Sequence, residues 1–265
     1  MDSLRAGAHV MPDGTPFERA WISGASSGLG RAIAVELARR GGFVHLFARG
    51  EQGLEETLRL VQGAGGAGQL HVGDVTDAER LAESLRAADK LDAGGLDLVI
   101  AGAGIAETGF PSEVPRHEVS ASIFDVNFTA AARTIDLGLE LMGARGRGTV
   151  AAISSIAGLR SMGAAAAYSS SKVALVAYLR AVRGSAARAG LQVIDIRPGF
   201  VRTPMTDRNK FRMPFLLEPQ DAACRTVRGL ERGAKVVTYP RRLAWPAELC
   251  ARTLPEFLWR RLTDA

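Results

Sequence analysis

The sequence predicts an α/β fold: a single doubly wound parallel sheet of about seven strands, with helices on both faces. Short runs rich in valine and isoleucine alternate with helical patterns, an order that calls for parallel strands joined by helical crossovers. Several runs are continuously apolar, as in Leu98-Val-Ile-Ala101 and Val150-Ala-Ala-Ile153, the pattern of strands covered on both faces. Glycine or polar residues follow six strands in turn: Gly24 to Gly30, Ala48-Arg49, Asp74, Gly102-Ala-Gly104, Ser154-Ser155 and Pro198-Gly199. Ligands of such sheets bind outside the carboxyl ends of the strands, so this clustering points to a site there.

Strands are expected near 19–23, 43–47, 69–73, 97–101, 149–154, 191–197 and 235–238, and helices near 29–40, 51–62, 77–91, 120–143, 166–189 and 219–231. The first strand rests on Ala20-Trp21-Ile22, and the first helix on the helix-forming stretch Arg31 to Arg40. Gly63-Ala-Gly-Gly-Ala-Gly68 reads as a flexible connection before the third strand. No repeat or linker divides the chain. Residues 18–240 are therefore expected to form one unit, with 1–17 a loose arm and 241–265 a basic amphipathic extension of the same unit.

With 265 residues, 47% hydrophobic and 23% charged, the chain has the size and balance of one large soluble domain. No uncharged apolar run approaches the roughly 18 residues of a membrane span, and Met1 to Pro16 has no apolar core of a secretory signal. Cys224 and Cys250 form no C-x-x-C pair, and the four histidines have no metal-ligand spacing. The expectation is two inert buried thiols in a cytoplasmic protein without a metal. From Val201 onward there are 13 basic and 7 acidic residues, against 20 and 21 before it. The basic character is thus C-terminal, suited to an anionic cofactor, substrate or surface. No aromatic-interleaved basic patch indicates nucleic acid.

Ser23-Gly-Ala-Ser-Ser-Gly-Leu-Gly30 lies between the first strand and first helix, the context of a dinucleotide-binding loop. Its glycines let the backbone pass close to a pyrophosphate at the positive end of a helix. Tyr168 and Lys172 stand four apart at a helix start and share one face. They follow a strand that ends at Ser154-Ser155, and lie downstream of Asn127 in Phe124-Asp-Val-Asn-Phe-Thr129.

With these motifs the chain resembles the short-chain dehydrogenase/reductase family, with its single Rossmann-type domain, over about residues 18 to 240. The resemblance rests on Ser23–Gly30, Gly73-Asp-Val-Thr76, Ala101-Gly-Ala-Gly104, Val126-Asn127, Ile153-Ser-Ser-Ile-Ala-Gly158, Tyr168-Ser-Ser-Ser-Lys172 and Arg197-Pro-Gly-Phe-Val-Arg-Thr-Pro204, and on the spacings of 13 from Ser155 to Tyr168 and 28 from Asn127 to Ser155. It implies an oxidoreductase interconverting a carbonyl and a secondary alcohol by hydride transfer. By this resemblance Tyr168 is the general acid/base. Lys172 binds the nicotinamide ribose and lowers the tyrosine pKa, Ser155 holds the substrate oxygen, and Asn127 anchors a proton-relaying water. An ammonium about 4 Å from a phenol, at an effective dielectric near 20, is worth about 4 kcal/mol, enough to lower a pKa of about 10 by up to roughly 3 before screening. Cofactor contacts are implied for Gly24, Ser26, Ser27, Gly28, Leu29, Gly30, Asp74, Val75, Ala101, Gly102, Ala103, Tyr168, Lys172, Pro198, Gly199, Val201 and Thr203. Two positions depart from the family pattern: Ala101-Gly-Ala-Gly104 replaces Asn-Asn-Ala-Gly, and Ser23 replaces threonine.

The second strand ends in Phe47-Ala48-Arg49-Gly50, without the carboxylate that would hold a ribose 2′-hydroxyl. Arg49 suits a 2′-phosphate, so NADP(H) is expected in preference to NAD(H). Pro204 to Leu217 carries Met205, Phe211, Met213, Phe215, Leu216 and Leu217. By resemblance this is a lid, and its composition suits a small apolar carbonyl or alcohol. The tail from Arg241 to Leu262 combines Trp245, Leu249, Leu254, Phe257, Leu258, Trp259 and Leu262 with five arginines. A subunit contact or lid is expected there ahead of a membrane surface, and the family implies a homodimer or homotetramer. A dinucleotide-sensing protein without chemistry and a membrane-surface lipid-modifying reductase are the alternatives.

Overall fold

The computed structural model describes residues 17–91, 94–106, 117–209 and 212–263. The arm expected over 1–16, and Lys210 and Phe211 of the expected lid, lie outside them. Phe17 belongs to the core, not to an arm. Among the described residues one sheet holds seven parallel strands: β1 Arg19–Ser23, β2 Phe43–Ala48, β3 Ala67–Val72, β4 Leu98–Ala101, β5 Gly148–Ile153, β6 Leu191–Pro198 and β7 Val236–Tyr239. The helices are α1 Gly28–Arg39, α2 Glu51–Gly63, α3 Ala78–Lys90, α4 His117–Phe124, α5 Ala131–Gly143, α6 Ala166–Arg188, α7 Pro219–Glu231, α8 Arg241–Thr253 and α9 Glu256–Thr263. The sheet order β3-β2-β1-β4-β5-β6-β7 reverses between β1 and β4, the switch point at which such sheets open a ligand crevice.

Both faces of the sheet are covered, which is why the central strands are apolar throughout. On one face Ile22, Val44 and Ile194 pack with Ile33 and Leu37 of α1, Leu54 of α2 and Val227 of α7. On the other, Trp21, Val99 and Val150 pack with Leu85 of α3, Ile135 of α5 and Leu179 of α6. Trp21 is fully buried, and its indole nitrogen donates to Ser84 Oγ at 3.0 Å.

Three further expectations are corrected. The connection read as flexible over Gly63–Gly68 is partly strand, because β3 begins at Ala67. Its glycines serve close approach: a Cβ at Gly68 would stand 2.5 Å from the Val44 carbonyl oxygen, and one at Gly66 would stand 2.6 Å from Ala38 Cβ. The helix expected over 120–143 is interrupted by a π-helical turn, Asp125–Ala130, between α4 and α5. Such one-turn bulges are common at functional sites, and this one carries Asn127. The two cysteines are half-buried rather than buried.

Candidate active site

The glycine loop is shaped by contact with its own surroundings. Gly24 adopts φ 71°, and a Cβ there would stand 2.8 Å from Ala103. A Cβ at Gly30 would stand 2.4 Å from the Gly24 carbonyl oxygen. The turn therefore closes on itself and lies against the exit of β4. Ser27, in extended conformation, opens α1 without a side-chain cap, so its side chain satisfies none of the first amides of α1. Gly28, at φ 55°, approaches Thr203, whose Cγ2 a Cβ would meet at 3.1 Å. Leu29 packs on the core beneath. Arg31, which the sequence reading missed, fixes the loop: it donates to the Ser26 carbonyl (2.5 Å), the Gly53 carbonyl (3.2 Å) and Thr57 Oγ1 (3.0 Å), and Thr57 donates to the Ala25 carbonyl at 2.8 Å.

The departures from the family pattern leave this framework intact. Ser23 Oγ accepts from the amides of Gly102 (3.0 Å) and Ala103 (3.3 Å), so the hydroxyl of β1 holds the loop after β4 without asparagine amides. Val75, Ala101 and Ala103 line, with Val126 and Thr134, a buried gap too small to admit water. Asp74 accepts from the Thr76 amide at 2.9 Å and hydroxyl at 2.8 Å, and Arg49 lies 3.6 Å away. Burial pulls the Asp74 carboxyl up, but these donors hold it below the usual carboxylate range. Arg49 is 71% exposed, so its pairing with Asp74 is weak.

Tyr168 and Lys172 occupy the first turns of α6. Lys172 is buried, and its Nζ donates to the Ile153 carbonyl at 2.9 Å and lies 5.8 Å from the centroid of the Tyr168 ring. Burial pulls the lysine down to about 8, against the nearby Asp195 carboxylate, which raises it. Asn127 is fully buried on its π turn. It accepts from the Ile105 amide at 2.8 Å, and donates to the Ile105 carbonyl at 2.9 Å and to Ser171 Oγ at 3.1 Å. A Cβ at Gly104 would be 3.4 Å from Asn127 Oδ1 and 3.6 Å from Lys172 Nζ, so that glycine opens the space the two side chains share.

Ser154 and Ser155 point to different tasks. Ser154 is buried, donates to Asp195 Oδ1 and to the Ile196 carbonyl, and so belongs to the sheet's interior. Ser155 caps the 3-10 turn Ile156–Gly158, accepting from the Ala157 amide at 3.1 Å. A Cβ at Gly158 would stand 2.9 Å from the Lys172 carbonyl oxygen, which draws this turn onto α6. Ser155→Ala is expected to lower turnover by about 10²-fold or more with little change in melting temperature. Ser154→Ala should do the reverse, and paired kinetics and thermal melts check the split.

Pro198 ends β6, and Gly199 packs against Leu243, Ile156 and Pro240. Buried Val201 forms a parallel bridge with Leu217, closing the root of the expected lid. Thr203 Oγ1 lies 3.2 Å from Thr206 Oγ1. Within the lid Phe215 has φ 58° and is half exposed, a left-handed conformation that bulky residues seldom adopt. The tail reaches the same region. Arg160 donates to the Leu254 carbonyl at 2.7 Å, pairs with Glu256, and lies 5.4 Å over the Trp259 ring. Trp259 donates to the Ser161 carbonyl at 2.7 Å. Thus α9 is fastened to the segment between Ser155 and Tyr168, a link without any local sequence signal. Among the described residues no histidine, cysteine, aspartate and glutamate cluster could hold a metal.

Residues 18–212 match the short chain dehydrogenase family. An uncharacterized oxidoreductase of Myxococcus xanthus is 40% identical over 245 residues, covering 92% of this chain and 95% of the other. The crystal structure of an actinorhodin polyketide ketoreductase with NADPH is 27% identical with TM-score 0.76, covering 86% of this chain and 97% of that one. A short chain dehydrogenase from Mycobacterium paratuberculosis, solved bound to NAD, is also 27% identical, with TM-score 0.73 and coverage of 83% and 94%. The chain belongs to the short-chain dehydrogenase/reductase family. It is an oxidoreductase of that family, acting on CH–OH and C=O groups.

Proposed function

We propose that this chain is an NADP(H)-preferring reductase of small apolar ketones, working reversibly as a secondary alcohol dehydrogenase. The observation that carries the reading is the buried Lys172 ammonium, held by the Ile153 carbonyl and set 5.8 Å from the Tyr168 ring. The loop Gly24 to Gly30 and the first amides of α1 fit a pyrophosphate, and Asp74 with Val75 resembles the pair that contacts adenine. Pro198, Gly199, Val201 and Thr203 fit the nicotinamide end. When bound, a reduced nicotinamide supplies the hydride that adds to the carbonyl carbon. The carbonyl's π pair then moves to oxygen, where the Ser155 hydroxyl stabilises the growing charge. Tyr168 Oη gives that oxygen its proton and is left as a phenolate favoured by the Lys172 cation. Asn127 holds the Ile105 backbone and the Ser171 hydroxyl, and anchors the water through which the tyrosine regains its proton.

Both NADPH and NAD occur in related structures, so the dinucleotide preference rests on Arg49 at the end of β2. Met205 and Phe215 are exposed apolar side chains at the expected lid, which supports an apolar substrate. A homodimer or homotetramer is the assembly the family resemblance implies, and the two cysteines, without a C-x-x-C pair or a disulfide, support a cytoplasmic location. The reading is tested by following NADPH and NADH oxidation with a panel of apolar ketones. NADPH should be preferred, and Arg49→Glu should shift the ratio of the two kcat/KM values toward NADH by about 10- to 100-fold, the worth of a charge-assisted contact. An unchanged ratio would remove Arg49 from cofactor selection.

A further inference from the structure

We propose that the outer face of α8 and α9 docks on the surface of an anionic lipid bilayer. Of ten exposed large apolar side chains among the described residues, five stand in these two helices: Trp245, Leu249, Phe257, Leu258 and Leu262. The concentration is therefore local, not the ordinary scatter of apolar groups over a surface. Trp245, Leu249 and Phe257 are 67%, 64% and 69% exposed.

The arginines are interleaved with these groups. On α8, Arg241, Trp245, Leu249 and Arg252 fall at i, i+4, i+8 and i+11, one stripe of an α-helix, with Arg242 flanking it. The inner stripe is different: Ala244 is buried, and Leu243 reaches Gly199, where a Cβ would stand 3.1 Å from its Cδ2. On α9, Arg260 and Arg261 flank Phe257, three and four residues on, while Trp259 turns inward to Ser161 and Arg160. Arg252 and Arg260 pair with Glu248 and Glu256, so Arg241, Arg242 and Arg261 carry the net positive charge beside the apolar tips, an arrangement that matches a helix lying at the headgroup level.

Charge decides between the occupants. Residues 241–263 carry five arginines and two glutamates. A two-fold contact would set this positive face against its own copy, whereas an anionic bilayer neutralises it. At 13 and 8 residues, α8 and α9 are too short to span a bilayer, and no helix among the described residues is long and apolar enough to do so. The proposal thus assigns the outward face to a membrane surface in place of the expected subunit contact or lid, while Trp259 faces inward to Ser161 and Arg160. Docking would bring the bilayer close to Gly199 and the turn after Ser155, so that an apolar substrate dissolved in lipid has a short path to the site.

The test is co-sedimentation of the full chain with vesicles of phosphatidylcholine, with and without phosphatidylglycerol, at low and high salt. Binding is expected to the anionic vesicles only, to weaken with salt, and to be accompanied by a blue shift of tryptophan emission. Trp21 and Trp259 are buried, so the shift reports Trp245. The double variant Trp245→Ala/Phe257→Ala is expected to bind at least about tenfold more weakly, and Arg242→Glu/Arg261→Glu likewise. All four positions lie outside the proposed catalytic groups. Oxidation of NADPH with a water-soluble ketone should therefore be unchanged in both variants, and the vesicle result stands whatever that assay shows. Failure to bind anionic vesicles overturns the proposal. So does a stable dimer in solution that Trp245→Ala/Phe257→Ala dissociates, which would assign the face to a second copy.

Discussion

Tyr168→Phe is expected to lower kcat/KM for ketone reduction by about 10³-fold, within the range that general acid catalysis supplies, while dinucleotide binding stays close to that of the unaltered chain. Phenylalanine keeps the ring beside Lys172 and removes only the proton donor. The pH profile carries the complementary signature. Lys172 is depressed from 10.5 to about 8 by burial, so its cation is present below that pH and lost as pH rises through it. The rate of reduction should accordingly fall on the alkaline side with an apparent pKa near 8. Stopped-flow or steady-state NADPH oxidation across pH measures both effects. A Tyr168→Phe enzyme within about tenfold of the original activity would exclude the phenol as proton donor.

Asp195→Ala is expected to cost about 3–5 kcal/mol of stability, the usual consequence of leaving one member of a buried ion pair without its partner. Asp195 is fully buried in β6, receives the Ser154 hydroxyl, and pairs with Arg197 at 2.6 Å. Arg197 is itself buried and cannot turn to water when the carboxylate is removed. For a domain of this size a melting temperature lower by about 10 °C follows. The same substitution should lower the Lys172 pKa further, because the Asp195 carboxylate opposes the effect of burial there. Urea unfolding and a pH–rate profile read the two consequences separately. A loss under about 1 kcal/mol would show that the ion pair is not what holds this layer.

The sheet was legible because its central strands are apolar on both faces and glycine or polar residues follow the strand ends, so periodicity and punctuation carried the same message. The glycine loop was legible for a related reason: Gly24 and Gly30 stand where the backbone leaves no room for a Cβ. Less visible was everything set by contacts distant in the chain. The π turn at Asn127 has no periodic signature, since its extra residue is stabilised by Ile105 and Ser171. Arg31 reads as an ordinary helix residue until Ser26, Gly53 and Thr57 converge on it. Ser154 and Ser155 are neighbours of identical chemistry, and only the pairing of β5 with β6 sends the first toward Asp195. Glycine-rich composition misled at Gly66 and Gly68, where tight packing rather than flexibility requires the missing side chain.

The fastening of α9 to Ser161 and Arg160 has a practical side. Tags, fusions or proteolytic nicks at the carboxyl end act on a helix that braces the segment between Ser155 and Tyr168 of the proposed site. Kinetic constants are therefore best compared between samples whose carboxyl ends have been verified by intact-mass measurement.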